Sequence, residues 1–199
     1  MPGMTTARSR LASEQTTLFG DDPALPAGFR YRPEFITPDE EQDLVAQIRD
    51  LPLAPFQFGI YEGKRRVVYF GTRYDFTHQR LEPATELPGW LATFARRVER
   101  AHGLPPGRIA HALCTEYEAG AGIGWHRDKR YFDQVFGLSL ASPCKFRFRR
   151  RSGRGWERVT LDAEPRSLYA MTGESRHAWE HSIPAVESTR YSITFRTMA

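Results

Sequence analysis

Cysteine is scarce. The 199 residues hold two, Cys114 and Cys144, too few for a disulfide framework and without a Cys-x-x-Cys pair. They read as reduced thiols of a cytoplasmic protein, with a disulfide between them as the alternative. Long apolar runs are missing as well. No stretch of about 18 apolar residues occurs and the mean hydropathy is negative, so neither a transmembrane helix nor a membrane partner is expected. No apolar segment follows Met1-Pro-Gly-Met-Thr-Thr-Ala-Arg8, and a secretory signal is not expected. Internal repeats and low-complexity blocks are absent, which leaves no reason to divide the chain. What is present is ordinary for a globular protein: 40% hydrophobic and 13% aromatic residues, enough length for one sizeable core. Lys and Arg exceed Asp and Glu by 28 to 24, a net charge of +4 with a pI near 9.3. That balance is a mild pointer to a polyanionic partner.

The organisation follows from local signals. Residues 1–24, rich in small and polar side chains with Leu18 and Phe19 as an apolar anchor, read as a flexible tail; residues 25–199 read as one domain, expected to be a monomer. Phe29 to Tyr31 is a short extended piece. Thr37, Pro38 and Glu40 form a helix start, with Leu44, Ile48 and Leu51 at helical spacing, so a helix over 38–51 is predicted. A second amphipathic helix is predicted over 90–102, ended by Gly103 and the Pro105–Pro106 pair. Between them, residues 54–88 look irregular, with one strand at 67–70. From Ile109 on, about eight short extended runs alternate with turns: 112–117, 124–126, 134–140, 145–150, 158–161, 167–171, 177–182 and 190–197. The predicted fold is α+β, mainly β: a double-stranded β-helix, or jelly roll, with supporting N-terminal helices packed on one sheet.

The chemistry concentrates in this second half. In an extended segment His126 and Asp128 point the same way, because side chains two apart share a face. A third imidazole from the downstream run, where His177 and His181 would share a face, completes two histidines and a carboxylate. That set covers one face of an Fe(II) ion and leaves positions open for substrates. On the last strand Arg190, Ser192, Thr194 and Arg196 share one face, and Tyr191, Ile193 and Phe195 the other. A polar inward face suits a strand that lines a pocket. Arg190 and Arg196 lie roughly 20 Å apart along an extended strand; reaching towards each other, they would hold a small dicarboxylate, which a guanidinium fork grips bidentately.

Several segments in order, Cys114-Thr-Glu-Tyr117-Glu-Ala-Gly120, Trp125-His-Arg-Asp-Lys129, Leu138-Ser-Leu140, Met171-Thr-Gly-Glu-Ser-Arg176, Trp179-Glu-His181-Ser-Ile183-Pro184 and Arg190-Tyr-Ser-Ile-Thr-Phe-Arg196, resemble the AlkB family of Fe(II)- and 2-oxoglutarate-dependent dioxygenases. The resemblance is closest over 109–197. It implies Fe(II), 2-oxoglutarate and O₂ as cofactor and cosubstrates, with His126, Asp128 and His181 as metal ligands. The histidine before Ser-Ile-Pro fits the motif, which selects His181 over His177. Arg190 would take the distal carboxylate of 2-oxoglutarate, Arg196 would lie near its metal-bound end, and Tyr117 would donate its hydroxyl. Where family members commonly carry asparagine, this chain has Thr115 and Ser192, both keeping a hydroxyl.

The implied activity is oxidative demethylation of N-alkylated bases in DNA or RNA. Residues 55–80 are the candidate lid: Tyr61, Tyr74 and Phe76 for stacking, Arg65, Arg66 and Arg73 for phosphates. A second basic cluster around a hairpin includes Arg150 and Arg151. Arg130 stands where the best-known branch of the family has an acidic residue that helps read the base. His78, His102 and His111 read as surface or structural. Two alternatives remain: the same oxygenase chemistry on a protein or other non-nucleic substrate, and a non-catalytic nucleic-acid-binding module.

Overall fold

The computed structural model describes residues 25–58, 60–75 and 78–199. The expected tail, with Leu18 and Phe19, and the candidate lid residue Phe76 lie outside the described residues. Strand β1 (Phe29–Arg32) and helix α1 (Pro38–Arg49) come first. Strands β2 (Ala54–Phe58), β3 (Tyr61–Phe70), β4 (Thr72–Asp75) and β5 (Arg80–Pro83) follow, then helix α2 (Gly89–Ala101). Next are β6 (Ile109–Tyr117), β7 (Ile123–His126), β8 (Phe132–Leu140), β9 (Cys144–Ser152), β10 (Gly155–Ala163) and β11 (Leu168–Met171). A short helix, α3 (Gly173–His177), precedes β12 (Glu180–Ile183) and β13 (Arg190–Met198).

The start of α1 is fixed by reciprocal hydrogen bonds: Glu40 N donates to Thr37 Oγ1 at 3.2 Å and Thr37 N to the Glu40 carboxylate at 2.9 Å, a capping box with proline at the first helical position. Leu44, Val45 and Ile48 form its buried side. In α2 the buried Leu91, Phe94 and Val98 share a side with Glu99. Burial of that carboxylate is compensated because it accepts from Gly107 N and Ile109 N at 3.1 and 2.8 Å, tying the helix to the start of β6.

Two antiparallel sheets form the body. The larger runs β1-β11-β8-β13-β6-β3-β2 and the smaller β10-β9-β12-β7. The strands from β6 to β13 therefore distribute themselves between two facing sheets, as a jelly roll requires. Period-two alternation assigns each side chain a layer. Cys114, Leu138, Ile193 and Phe195 face the helices and pack with Ile48, Leu91 and Val98. Tyr117, Tyr169 and Met171 of the large sheet meet Phe146 and Phe148 of the small one, together with Trp179 just before β12. The two cysteines fall in these two different layers and are free; burial pushes the Cys114 thiol up to about 12.

Two stretches depart from the sequence expectation. Residues 54–88 are not irregular but form two hairpins, β2–β3 and β4–β5. The first half of β3 runs beyond β6 and pairs only with the edge strand β2, exposed or half-exposed, so its residues carry no apolar alternation by which to recognise a strand. The run expected to be extended from His177 begins instead with α3. Thr172 and Ser175 close a capping box there, which favours a helical turn over continuation of β11.

Gly137 is fitted against its cross-strand neighbour Tyr169: a Cβ at this position would stand 2.0 Å from the Tyr169 ring. Gly137→Ala is expected to destabilise the fold by about 1–3 kcal/mol, seen as a Tm lowered by several degrees. An unchanged Tm would show that the Tyr169 ring moves aside freely.

Candidate active site

Between the sheets lies a cavity of about 570 Å³. The inward positions of β6 supply His111, Leu113, Thr115 and Tyr117 to its wall, β13 supplies Thr194 and Arg196, and β7 and β12 supply His126 and His181. The two histidines are direct cross-strand partners in the β12–β7 ladder, with ring centroids 4.2 Å apart. Asp128 follows in the loop after β7. One ligand atom from each of His126, Asp128 and His181 lies within 4.8 Å of the others, a set with room for one divalent ion. His177, the rival for the third position, sits on α3, 3.9 Å from Asp133 and away from this set.

Hydrogen bonds orient each donor. His126 Nδ1 lies 2.9 Å from Gly124 O; a carbonyl only accepts, so Nδ1 carries the proton and Nε2 keeps its lone pair for a metal. The ring of Phe146 stacks on His181 at 5.5 Å. Asp128 Oδ1 accepts from Arg196 Nε at 2.8 Å and Nη2 at 2.7 Å, while Oδ2 faces His181 Nε2 at 3.6 Å. Burial drives His181 down to about 3, helped by the neighbouring His126, and lowers His126 as well. Both imidazoles are thus neutral donors near pH 7. Burial alone would raise Asp128, but Arg196, both histidines and Arg176 outweigh it and hold the carboxyl below its usual range. A second group, Asp75, His78 and Glu82, is engaged otherwise: Glu82 is gripped by Arg73 and Arg80, and His78 by Asp75.

The last strand behaves as a two-faced ribbon, but its arginines are not a matched pair. Arg196 Nη1 lies 2.8 Å from His111 Nε2, and His111 Nδ1 is 2.7 Å from Thr72 O. His111 is therefore the Nδ1–H tautomer, accepting at Nε2 from the guanidinium. With all three nitrogens of Arg196 engaged by Asp128 and His111, the expected pair of arginine jaws is revised: Arg196 orients a ligand carboxylate instead. Arg190 is different. It is fully buried, bonded through Nε and Nη2 to Ser139 Oγ at 3.3 and 3.1 Å, and lies over the Tyr117 ring at 5.1 Å. Its Nη1 has no partner, and no carboxylate pairs with it among the described residues. An uncompensated buried cation is costly, so the region behind Tyr117 of the cavity wall suits an anionic ligand. Thr115 lines the cavity; Ser192 is buried opposite Thr115 and Ser139 on adjacent strands.

The substrate candidates scatter. Arg65 and Tyr74 line the cavity. Tyr61 is 70% exposed. Arg66 points to the opposite face, bonded to Glu116 and Leu53 O at 3.0 Å each. Arg130 is exposed beside the Tyr131 ring and outside the cavity wall. Arg150 turns to Glu157 and Glu174 and covers Trp179. Arg151 is exposed and packs over Trp156. On the outer face of the small sheet Arg151 completes an alternating ladder, Arg147–Trp125–Arg149–Trp156–Arg151, with guanidinium-to-ring distances of 4.2–5.1 Å.

Several residues of the site escaped sequence reasoning: His111 and Ser139, which position the two arginines, and Arg176, whose Nη2 donates to the carbonyls of Lys129 and Phe132 at 2.7 and 2.6 Å and braces the loop after Asp128. Period two on β6 placed His111 on the face of Thr115 and Tyr117; nothing local revealed the other two roles.

A model of the 2OG-Fe(II) oxygenase superfamily matches residues 28–196. The chain is 31% identical over 176 residues to the "Alkylated DNA repair protein ALKBH8 homolog" of Arabidopsis thaliana, covering 76% of this chain and 49% of the relative. It is also 31% identical over 169 residues to the "tRNA (carboxymethyluridine(34)-5-O)-methyltransferase ALKBH8" of Mus musculus, covering 80% and 24% respectively. The chain thus spans about half the length of the first relative and about a quarter of the second. Among solved structures, OsALKBH1 superposes with a TM-score of 0.70 at 15% identity, over 88% of this chain and 99% of that one, a likeness of fold.

Burial, reinforced by Arg196, drives His111 down to about 3, below its ordinary value near 6.5. The unfolded chain binds that proton more readily, so the stability this group contributes is complete above about pH 6.5 and is lost as pH falls towards 3. Lowering the pH from 7 to 4.5 is expected to depress the Tm of the wild type more than that of His111→Gln. Equal drops would assign the acid lability to other groups.

Proposed function

The chain belongs to the 2OG-Fe(II) oxygenase superfamily and is homologous to its AlkB-type members, and from that premise we propose that it oxidatively removes N-alkyl groups from bases of DNA or RNA. The observation that carries the reading is the His126–Asp128–His181 cluster in the cavity, with the buried Arg190, its Nη1 unpartnered, directly behind Tyr117 of the cavity wall. In this reading His126 Nε2, Asp128 Oδ2 and His181 hold Fe(II). Arg190 takes the distal carboxylate of 2-oxoglutarate, with Ser139 keeping its fork in place, and Tyr117 and Thr115 line the path between. Ser192 supports that end from the neighbouring register position. Iron, 2-oxoglutarate and O₂ together supply the oxidation, in which the cosubstrate becomes succinate and CO₂ and the substrate methyl is hydroxylated, then lost as formaldehyde.

The protein's own groups supply position and shelter. Arg196 and Arg176 fix the carboxylate ligand and its loop, and Phe146 keeps the His181 imidazole dry. The two edge hairpins contribute Phe56, Arg65, Tyr69 and Tyr74 to the wall, aromatic surface of the kind that replaces stacking lost by an extruded base. The described part of residues 55–80 would in this way serve as the lid. The names of the relatives, alkylated DNA for one and tRNA for another, support a nucleic-acid partner. So does the cationic outer ladder, where Trp faces and arginine edges alternate beside the cavity mouth as a single strand requires. Free, buried thiols suit a reducing compartment, the cytoplasm. No helix among the described residues is long and apolar enough to cross a membrane.

His126→Ala is expected to lower methylated-oligonucleotide-dependent succinate release by more than about 100-fold, measured with iron in excess; retained turnover would remove His126 from the metal set. Succinate release driven by a protein extract, and by no methylated nucleic acid, would overturn the substrate class. Arg190→Met is expected to raise the KM for 2-oxoglutarate at least about tenfold. Arg147→Glu with Arg151→Glu is expected to weaken binding to single strands and to reduce its salt slope by about two. Unchanged binding would take the ladder out of the interface.

A further inference from the structure

Arg65 is the cation the mechanism leaves unused. It lies on β3 one register step beyond the Arg66–Glu116 pair, on the inward side with Val67 and Tyr69, and so beside Tyr117 of β6. Its guanidinium covers the Phe56 ring at 3.8 Å and lines the cavity. No hydrogen-bond acceptor or carboxylate engages it among the described residues. Burial lowers its affinity for a proton without removing the charge, and Tyr117, Tyr69 and Arg196 are its nearest titratable neighbours. His126 feels its field. Arg65 is therefore a half-buried cation in the wall of the cavity that holds His126, Asp128 and His181.

The rest of the wall has the same sign. Arg196 and, at the exposed rim, Arg127 line the cavity, and the only carboxylate among its described lining residues is Asp128, already paired with Arg196. A base alkylated at N1 of adenine or N3 of cytosine carries a fixed positive charge, which this wall repels. A base methylated at a ring nitrogen flanked by two carbonyl groups, as in N3-methyluracil or N3-methylthymine, is neutral and offers oxygen acceptors to a guanidinium. Like-charge juxtaposition in a desolvated site is a strong discriminator. Resting on the reading of the cavity as a base-binding site, we propose that Arg65 makes it selective for neutral, carbonyl-bearing N-methylated bases and against cationic ones, by donating to a carbonyl beside the methylated nitrogen.

The test separates base selection from demethylation. The Fe(II)- and 2-oxoglutarate-loaded protein is kept free of oxygen, so that no turnover occurs, and titrated against labelled single strands of one sequence carrying N3-methyluracil, N1-methyladenine or no methyl group. Wild type is expected to bind the N3-methyluracil strand about tenfold or more tightly than the N1-methyladenine strand. Arg65→Gln is expected to shrink that ratio and Arg65→Glu to invert it. Equal binding of the two methylated strands by wild type, or a ratio that neither variant moves, overturns the proposal. Admitting oxygen then measures succinate. Selective binding without turnover on any methylated strand would sink the demethylase reading and leave base selection by Arg65 intact, whereas no binding to any strand would remove both.

Discussion

The buried ion pair between Asp128 and Arg196 is the constraint on which the site depends. A carboxylate removed from water either pairs or takes up a proton, and a protonated Asp128 would be a poor ligand for a cation. Arg196 prevents this and, by occupying Oδ1, leaves Oδ2 directed at His181. The pair also joins the two sheets, because Asp128 follows the small sheet's β7 and Arg196 comes from β13 of the large one. Its support extends further: Thr72 O accepts from His111, and His111 accepts from Arg196. One chain of hydrogen bonds thus links the edge hairpin, β6, β13 and the metal loop.

In and around the cavity are arginines of two kinds. Arg196 and Arg176 are engaged by protein groups and act on geometry. Arg190 keeps one buried donor without a partner and Arg65 lies over the Phe56 ring, so in the proposed reading both would act on ligands. Arg190 sits at the fully buried end, beneath Tyr117, where a cosubstrate anion would be sheltered. Arg65 lies across Tyr117 from it, beneath the hairpins that carry the aromatic wall. In the proposed reading Tyr117 would stand between cosubstrate and substrate, in the cavity that holds the His126–Asp128–His181 cluster.

Much of this was legible in the chain. Period-two alternation from Ile109 on announced the jelly-roll strands, and the capping signals at Thr37 announced α1. His126, Asp128, His181 and Arg190 were recognisable because their spacing follows the strand period and recurs in a known order. The edge hairpins were not, since the exposed half of β3 lacks an apolar face, and α3 was hidden because a two-residue capping box overrode an extended reading. The substrate residues fared worst. Arg66 and Arg150 looked as available as Arg65, yet Glu116 claims the first and Glu157 with Glu174 the second.

The sequence by itself determined which residue types occur at which period, and hence the layers, the ligand set and the family. Only the tertiary structure decided which charged groups remain without a partner. The reason is register: whether an arginine meets a glutamate, a serine or open cavity depends on which strands become neighbours and how they align across sheets. That information lies in pairings between distant segments, as when His181 meets His126, and in no stretch of sequence taken alone.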